Sequence, residues 1–156
     1  MAVTPLTAAQ QRTVDALLAV RRLERVPIDE RRCAAFLGQA ETAETALADL
    51  PNVRHAQNTY NLAYDAAHDV GEAMLAAYGY RTAHGTGQHD ALGRFLAAVF
   101  DTPPENAASR HYDQMRRDRN RQRYNAQPIT TAAAVAAAEA ATLLFQAGRT
   151  RVHPVV

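Results

Sequence analysis

Apolar side chains recur at intervals of three and four residues along several stretches of this chain, and proline or glycine separates each stretch from the next. This spacing places the apolar residues on one face of an α-helix, whereas a half-buried strand would alternate them. Proline stops a helix because it lacks an amide N–H, and glycine favours the residue just after a helix end. We therefore predict an all-α, up-and-down bundle of five to six helices without any β-strand.

The breaks between these stretches give the bounds of the predicted helices. Thr7-Ala8-Ala9-Gln10 has the form of a capping box, which typically begins a helix. The glycine-rich stretch from Gly79 to Gly87 is predicted to be a loop, with Gly79 as the C-cap of the helix before it. The predicted helices cover residues 7–23, 33–50, 52–78 and 89–99, an arginine-rich segment that ends at Pro128, and residues 131–147 with Gly148 just beyond.

The length of 156 residues fits one domain with one hydrophobic core, and we expect residues 150–156 to be a loosely ordered tail. Cys33, the only cysteine, lies among apolar residues and is predicted to be buried; a single cysteine excludes an internal disulfide and a cysteine-rich zinc site. The sequence has no run of about 18 apolar residues and no signal-peptide pattern at its start. We therefore expect a cytoplasmic protein with no membrane association.

Basic residues are concentrated in one predicted helix. All 17 basic residues are arginine, and the chain has a net charge of +1. Between Ala107 and Tyr124, six arginines stand against Asp113 and Asp118, which gives this segment a net charge of +4 and leaves 1 − 4 = −3 for the remainder. Such a local positive potential suits an anionic partner such as a nucleic-acid backbone. A solvated basic face is the simpler alternative, and the charge pattern alone leaves both interpretations open.

Arg119 has a distinct position within this arginine-rich helix. Ala108, Tyr112, Met115 and Arg119 follow the spacing of a core-facing stripe, so Arg119 continues the apolar side of the helix. An unpaired guanidinium is costly to bury. Arg119 should therefore meet a carboxylate, backbone carbonyls or an anion from outside, whereas the other arginines of the helix are expected in solvent.

The third predicted helix carries a polar stripe, formed by Asn61, Asp65, His68, Asp69 and Glu72 at helical spacing. Carboxylates beside an imidazole could form half of a metal site or could pair with Arg119. The Glu-x-x-His and His-Glu-x-x-His signatures of helical metal sites are absent. We therefore favour a solvated face or an internal ion-pair network, and predict no metal and no cofactor.

Aromatic and imidazole side chains elsewhere each allow a structural interpretation. Tyr60 and Tyr64, one helical turn apart, are predicted to be packing residues rather than platforms for base stacking. His89-Asp90 follows the glycine loop and begins the fourth helix, where a histidine could contact phosphate at the helix N-terminus or act as a polar cap. The polar cap is the favoured interpretation. No glycine-rich phosphate loop of the Rossmann or Walker type is present.

Taken together, these features resemble the HEPN superfamily of small α-helical domains. The motifs that carry the resemblance are Tyr64-Asp65-Ala66-Ala67-His68, Gly79-Tyr80-Arg81, Gly87-Gln88-His89-Asp90 and Arg119-Asn120. The family signature is an arginine, often followed by a polar residue, and a histidine after four to six intervening residues. Arg119-Asn120 matches its first half, and Tyr124 stands where the histidine would be.

The resemblance implies RNA binding and metal-independent RNA cleavage, in which the ribose 2′-hydroxyl attacks the adjacent phosphate. Arg119, Asn120 and Tyr124 are then the predicted catalytic residues, with Arg119 as the cation beside phosphate. A tyrosine with an ordinary pKa of about 10 is a poor base at neutral pH, so another histidine would be needed. Supporting or substrate-binding positions are predicted at Asp65, His68, His89, Arg116 and Arg123.

The resemblance also implies the partners of the protein. A homodimer is expected, with RNA as the ligand and a cognate antitoxin such as a nucleotidyltransferase, in a toxin-antitoxin or defence system. One alternative is a catalytically degenerate module that binds a protein partner or a nucleotide, which the missing histidine favours. A further alternative is a helical metalloprotein that uses Asp65, His68 and Glu72.

Overall fold

Six α-helices contain most of the residues that the structure describes, which confirms the predicted all-α bundle. The computed structural model describes residues 1–50 and 55–153. In chain order the helices are α1 (Ala8–Ala19), α2 (Glu30–Asp49), α3 (Ala56–Tyr78), α4 (Gln88–Val99), α5 (Glu105–Asn125) and α6 (Thr131–Arg151).

Local capping interactions explain several helix ends. Thr7 and Gln10 form the predicted capping box, because each side chain accepts a hydrogen bond from the backbone N–H of the other, at 3.2 and 2.9 Å. Asp29 caps α2 by accepting a backbone N–H of its first turn. Gly79 ends α3 in the left-handed conformation, with φ at 78°, as predicted.

Some helix bounds differ from the predicted ones. α1 ends at Ala19 and not at residue 23, α4 begins at Gln88, one residue before the predicted His89, and α6 continues to Arg151. The predicted start of the third helix at residue 52 lies outside the described residues. Gly148 lies inside α6 and does not end it. A Cβ atom at this glycine would lie 3.0 Å from Val70 Cγ1 on α3, so Gly148 permits close helix packing.

The central element of the fold is α3, which packs against both α2 and α6. Tyr60, Val70 and Met74 of α3 are fully or almost fully buried, and Tyr64 is 4% exposed. The predicted packing role of the two tyrosines is therefore confirmed. Cys33 of α2 is also buried, as predicted.

Four short strands correct the prediction that the chain has none. β1 (Ala2–Val3) pairs antiparallel with β4 (Val152–His153), and β2 (Leu23–Arg25) pairs antiparallel with β3 (Tyr80–Thr82). Strands of two or three residues are too short to show an alternating pattern in the sequence. Both ribbons join segments that are distant along the chain, so only the fold creates them.

The predicted loosely ordered tail is wrong for residues 150–153. The guanidinium of Arg151 donates to the Tyr78 hydroxyl at 2.8 Å and to the Val99 carbonyl at 3.0 Å, and β4 follows directly. Residues 154–156 of the predicted tail lie outside the described residues.

By length and composition alone, α6 could cross a membrane, with a mean hydropathy of 1.2 over its most apolar window. Its alanine-rich buried face, which includes Ala134, Ala141 and Leu144, belongs to the core and packs against α3. Core helices commonly pass the same test of length and composition, so this property carries little weight.

The segment between α3 and α4 positions the functional site. Its first part is β3, and the predicted loop is therefore restricted to residues 83–87. Gly85 and Gly87 have φ values of 117° and 91°, a conformation that side chains rarely adopt. These two glycines lead the chain directly into α4 at Gln88, which brings His89 beside α3 and α5.

Candidate functional site

A cleft of about 600 Å³ lies where α3, the glycine loop before α4, and α5 meet. We call it the arginine cleft and define it by its lining residues: Tyr64, Gly85, Thr86, Gly87, Gln88, His89, Asp90, Arg116, Arg119, Asn120 and Arg123. Five residues predicted from the sequence therefore lie together in it: Arg116, Arg119, Asn120, Arg123 and His89. The four α5 residues are three and four positions apart and share one side of the helix.

Arg119 lies between α5 and α3 with both an aromatic and an acidic neighbour. Its guanidinium carbon is 4.7 Å from the centre of the Tyr64 ring, within the range of a cation–π interaction. Its Nη1 atom is 3.6 Å from Asp65 Oδ1, so the guanidinium does meet a carboxylate. The two side chains are 39% and 56% exposed, which makes this a surface ion pair of small energetic value.

The other two arginines of the cleft differ in how they are held. Arg116 donates hydrogen bonds to Asp113 from Nε at 3.2 Å and from Nη2 at 2.8 Å, and these hydrogen bonds raise the pKa of the guanidinium. Arg123 is exposed and has no ion pair with any described residue. Asp90 is the single carboxylate of the cleft lining and pairs with Arg94 at 3.0 Å. The cleft lining therefore carries more positive than negative charge.

His89 enters the cleft from the first turn of α4 and contacts α3. Its Nδ1 atom is 2.8 Å from the Tyr64 hydroxyl, and its ring centre is 5.5 Å from that of His68. Burial lowers the pKa of His89, and electrostatic interactions with His68, Arg119 and Arg116 lower it further. His89 is therefore a largely neutral imidazole at neutral pH, beside the guanidinium groups.

His68 lies next to the cleft but does not line it. Its Nδ1 atom is 3.4 Å from Asp69 Oδ1, its Nε2 atom is 3.8 Å from Glu72 Oε1, and Glu72 is bonded to Arg32 at 3.1 Å. These contacts match the ion-pair network, one of the two interpretations favoured for the polar stripe of α3; the two contacts of His68 are ion pairs only when its imidazole is protonated. Residues 1–50 and 55–153 contain no group of three histidine, cysteine, aspartate or glutamate side chains placed to hold a metal ion.

Besides His68, two further predicted site residues lie outside the arginine cleft. Tyr124 is one helical turn beyond Asn120 and is 79% exposed. Asp65 reaches Arg119 but lines a separate groove of about 560 Å³ between the end of α2 and α3. The structure therefore groups Arg119 and Asn120 with His89, and places Tyr124 apart from them.

Sequence reasoning missed Tyr64, which lines the cleft, and Tyr112, which packs behind it. Tyr64 and Tyr112 were predicted only to pack, yet Tyr64 forms the cleft wall below Arg119 and contacts His89. Tyr112 is fully buried and stacks on Tyr64 with ring centres 5.3 Å apart. A signal was present, since Tyr64 directly precedes Asp65 and lies one turn before His68 on the polar stripe.

Comparison with protein-family profiles, with curated proteins and with solved structures finds no match for this chain. Three guanidinium groups and a neutral imidazole converge on one open cleft, beside the first turn of α4. Donors of this kind hold the oxygens of phosphate.

Proposed function

We propose that this chain is a HEPN-type RNA-binding protein and that the arginine cleft holds the phosphate backbone. The observation that carries the proposal is the convergence of Arg116, Arg119 and Arg123 with His89 in one cleft. The basic segment of α5 supports it, because local positive charge attracts a polyanion and counterions are released on binding. Arg123 has no carboxylate partner among the described residues, so its charge remains free for an anion.

Metal-independent cleavage of the bound RNA is the second part of the proposal. The ribose 2′-oxygen would form a bond to phosphorus while the bond from phosphorus to the 5′-oxygen breaks, which leaves a 2′,3′-cyclic phosphate. The 2′-hydroxyl loses its proton and the 5′-oxygen gains one. Arg119 would stabilise the negative charge that develops on phosphate, and His89 would stand beside it. The exposed position of Tyr124 outside the cleft supports a catalytic group built from Arg119, Asn120 and His89.

The binding proposal is tested with a short fluorescent single-stranded RNA and two matched variants. Arg119 and Arg117 are on the same helix, and each pairs with one aspartate, but only Arg119 lines the cleft. Both R119A and R117A remove one positive charge. We expect R119A to weaken binding by about tenfold, and R117A by less than about threefold. Equal losses in the two variants, or no binding by the unchanged protein, would contradict the proposal.

The cleavage proposal is tested by incubating the protein with RNA in EDTA. We expect the products to end in a cyclic phosphate, R119A to lose activity, and Y124F to retain it. A substrate with 2′-O-methyl groups should resist cleavage, because it lacks the attacking hydroxyl. Cleavage that requires a divalent metal, or that persists in R119A, would overturn the cleavage proposal. The binding proposal would be unaffected, because the RNA-binding measurement tests it separately.

The exposed Tyr124 supports a second candidate function, an interaction module that binds a protein partner or a nucleotide without cleaving RNA. A tyrosine that is 79% exposed at a helix end is available to a partner. This candidate predicts no RNA turnover. It also predicts that a pull-down recovers a partner and that Y124A abolishes this recovery.

The expected homodimer and a cognate antitoxin such as a nucleotidyltransferase belong to the first proposal. Light scattering tests the homodimer, and co-purification tests the antitoxin.

A further inference from the structure

The role of His89 depends on which of its two ring nitrogens faces the arginine cleft. The Tyr64 hydroxyl lies 2.8 Å from Nδ1, a normal hydrogen-bond distance. This contact occupies Nδ1 on the side of α3. Nε2, at the opposite edge of the ring, is therefore the nitrogen left for a ligand in the cleft.

A second hydroxyl behind Tyr64 sets the direction of the hydrogen bond to His89. Tyr112 is fully buried, and its hydroxyl donates to the Tyr64 oxygen at 3.4 Å, a long bond. Tyr64 is the one hydrogen-bond partner of this buried hydroxyl among residues 1–50 and 55–153, so the Tyr112 proton is used in that bond. Since the Tyr64 oxygen then accepts from Tyr112, the Tyr64 proton is free to be donated to Nδ1 of His89.

A neutral imidazole carries one proton, and the nitrogen that accepts a hydrogen bond cannot hold it. We propose that Tyr112 and Tyr64 are positioning residues that keep His89 in the neutral tautomer with its proton on Nε2, so that the cleft presents an imidazole N–H to a phosphate oxygen. The ligand in this inference rests on the proposed function, whereas the tautomer does not. His89 then binds phosphate as a donor. During cleavage the 2′-hydroxyl proton would pass to solvent hydroxide, and solvent water would supply the proton that the departing 5′-oxygen gains.

The charges around His89 support the neutral form. α5 contributes Arg116 and Arg119, α3 contributes His68, Tyr64 and Glu72, and α4 contributes Asp90. Burial lowers the pKa of His89, interactions with His68, Arg119 and Arg116 lower it further, and Glu72 opposes them only in part. Protonation of Nδ1 would also reverse the hydrogen bond from Tyr64. A positive imidazolium is therefore disfavoured on geometric and on electrostatic grounds.

The tautomer can be measured directly by long-range proton–nitrogen NMR on the full chain with ¹⁵N-labelled histidine. His89 is assigned by the signal that disappears in H89Q. We expect an unprotonated Nδ1 and a protonated Nε2 at neutral pH. In Y64F the aromatic ring under Arg119 remains but the donor is lost, and we expect a mixture of both tautomers. A proton on Nδ1 in the unchanged protein, or an imidazolium at neutral pH, would overturn the inference.

Binding of the same fluorescent RNA tests the donor role with two substitutions of His89. The side-chain NH₂ of glutamine reaches the position of Nε2, whereas that of the shorter asparagine reaches only the position of Nδ1. We expect H89Q to stay within about threefold of the unchanged protein and H89N to lose about tenfold. Equal losses would contradict a donor at Nε2. If RNA fails to bind but NMR finds the expected tautomer, the proposed function fails and the positioning by Tyr64 stands.

Discussion

At the scale of single residues, Arg119 marks the place where the hydrophobic core ends. Ala108, Tyr112 and Met115 precede it on the same stripe of α5 and are each at most 3% exposed, whereas Arg119 is 39% exposed. Beyond Met115 no residue of α5 is buried. The apolar stripe therefore carries Arg119 to the rim of the bundle, where its guanidinium packs on Tyr64 and still reaches solvent. A cation in this position is oriented by the core without the cost of full burial.

Glu44 has a partly buried carboxyl group whose charged form destabilises the folded state, and this makes stability depend on pH. Its Oε2 accepts a hydrogen bond from Thr142 at 2.6 Å, while its Oε1 is buried without a partner among the described residues. Burial raises the pKa of this carboxyl above 4.5. The folded state thus binds the proton more tightly, and stability falls as pH rises from about 4.5 through the folded pKa.

Replacement of this carboxyl by an amide should remove the penalty. We expect E44Q to be more stable than the unchanged protein by about 1 kcal/mol at pH 7, because no charge is then buried. The difference should disappear as pH falls below the ordinary carboxyl pKa. Urea unfolding at both pH values measures it. E41Q is the control, since Glu41 is exposed and pairs with Arg149 at the surface. A less stable E44Q at pH 7 would refute the argument.

At the scale of secondary structure, the sequence is informative where the interactions are local. The helices, the Thr7 capping box and the end of α3 at Gly79 follow from spacing and from contacts within four residues. The β2–β3 ribbon was missed because its register joins Leu23 to Thr82. Gly148 was misplaced for a related reason. Gly148 packs against Val70, which belongs to α3. In the sequence, a glycine near the end of a helix looks the same whether it ends that helix or permits close packing against another.

Replacement by alanine should change stability in opposite directions at two glycines, Gly79 and Gly38. Gly79 has φ at 78°, and a Cβ there would lie 2.8 Å from the Val26 carbonyl oxygen. Gly38 lies within α2, where nothing approaches a Cβ within 4 Å. We expect G79A to lower the free energy of unfolding by about 1–3 kcal/mol and G38A to raise it by roughly 0.5–1 kcal/mol. Thermal and urea unfolding compare them, and a destabilised G38A or an unaffected G79A would contradict this account.

At the scale of the whole molecule, the site exists only because distant segments converge. Tyr64 and His89 are 25 residues apart, and α5 supplies the arginines from still further along the chain. The sequence indicated the basic helix and each of His89 and Arg119 separately. It did not predict that His89, and not Tyr124, lies beside Arg119, because spacing along α5 is a local property whereas the glycine loop reaches α5 through the fold.

This convergence leads to a prediction about salt dependence that separates a specific cleft from general charge. The triple variants R116A/R119A/R123A and R110A/R117A/R121A each remove three arginines from α5 and change the net charge from +1 to 1 − 3 = −2. Only the first set lines the arginine cleft. For single-stranded RNA, each lost phosphate contact should reduce the slope of log affinity against log salt by about 0.7. We expect the slope to fall by about 2 in the first variant and by much less in the second.

Titrations across a range of salt concentrations measure both slopes. Equal slopes would mean that RNA is attracted by the charge of the whole helix and would contradict a specific cleft. Unequal slopes would locate binding where α3, α4 and α5 meet.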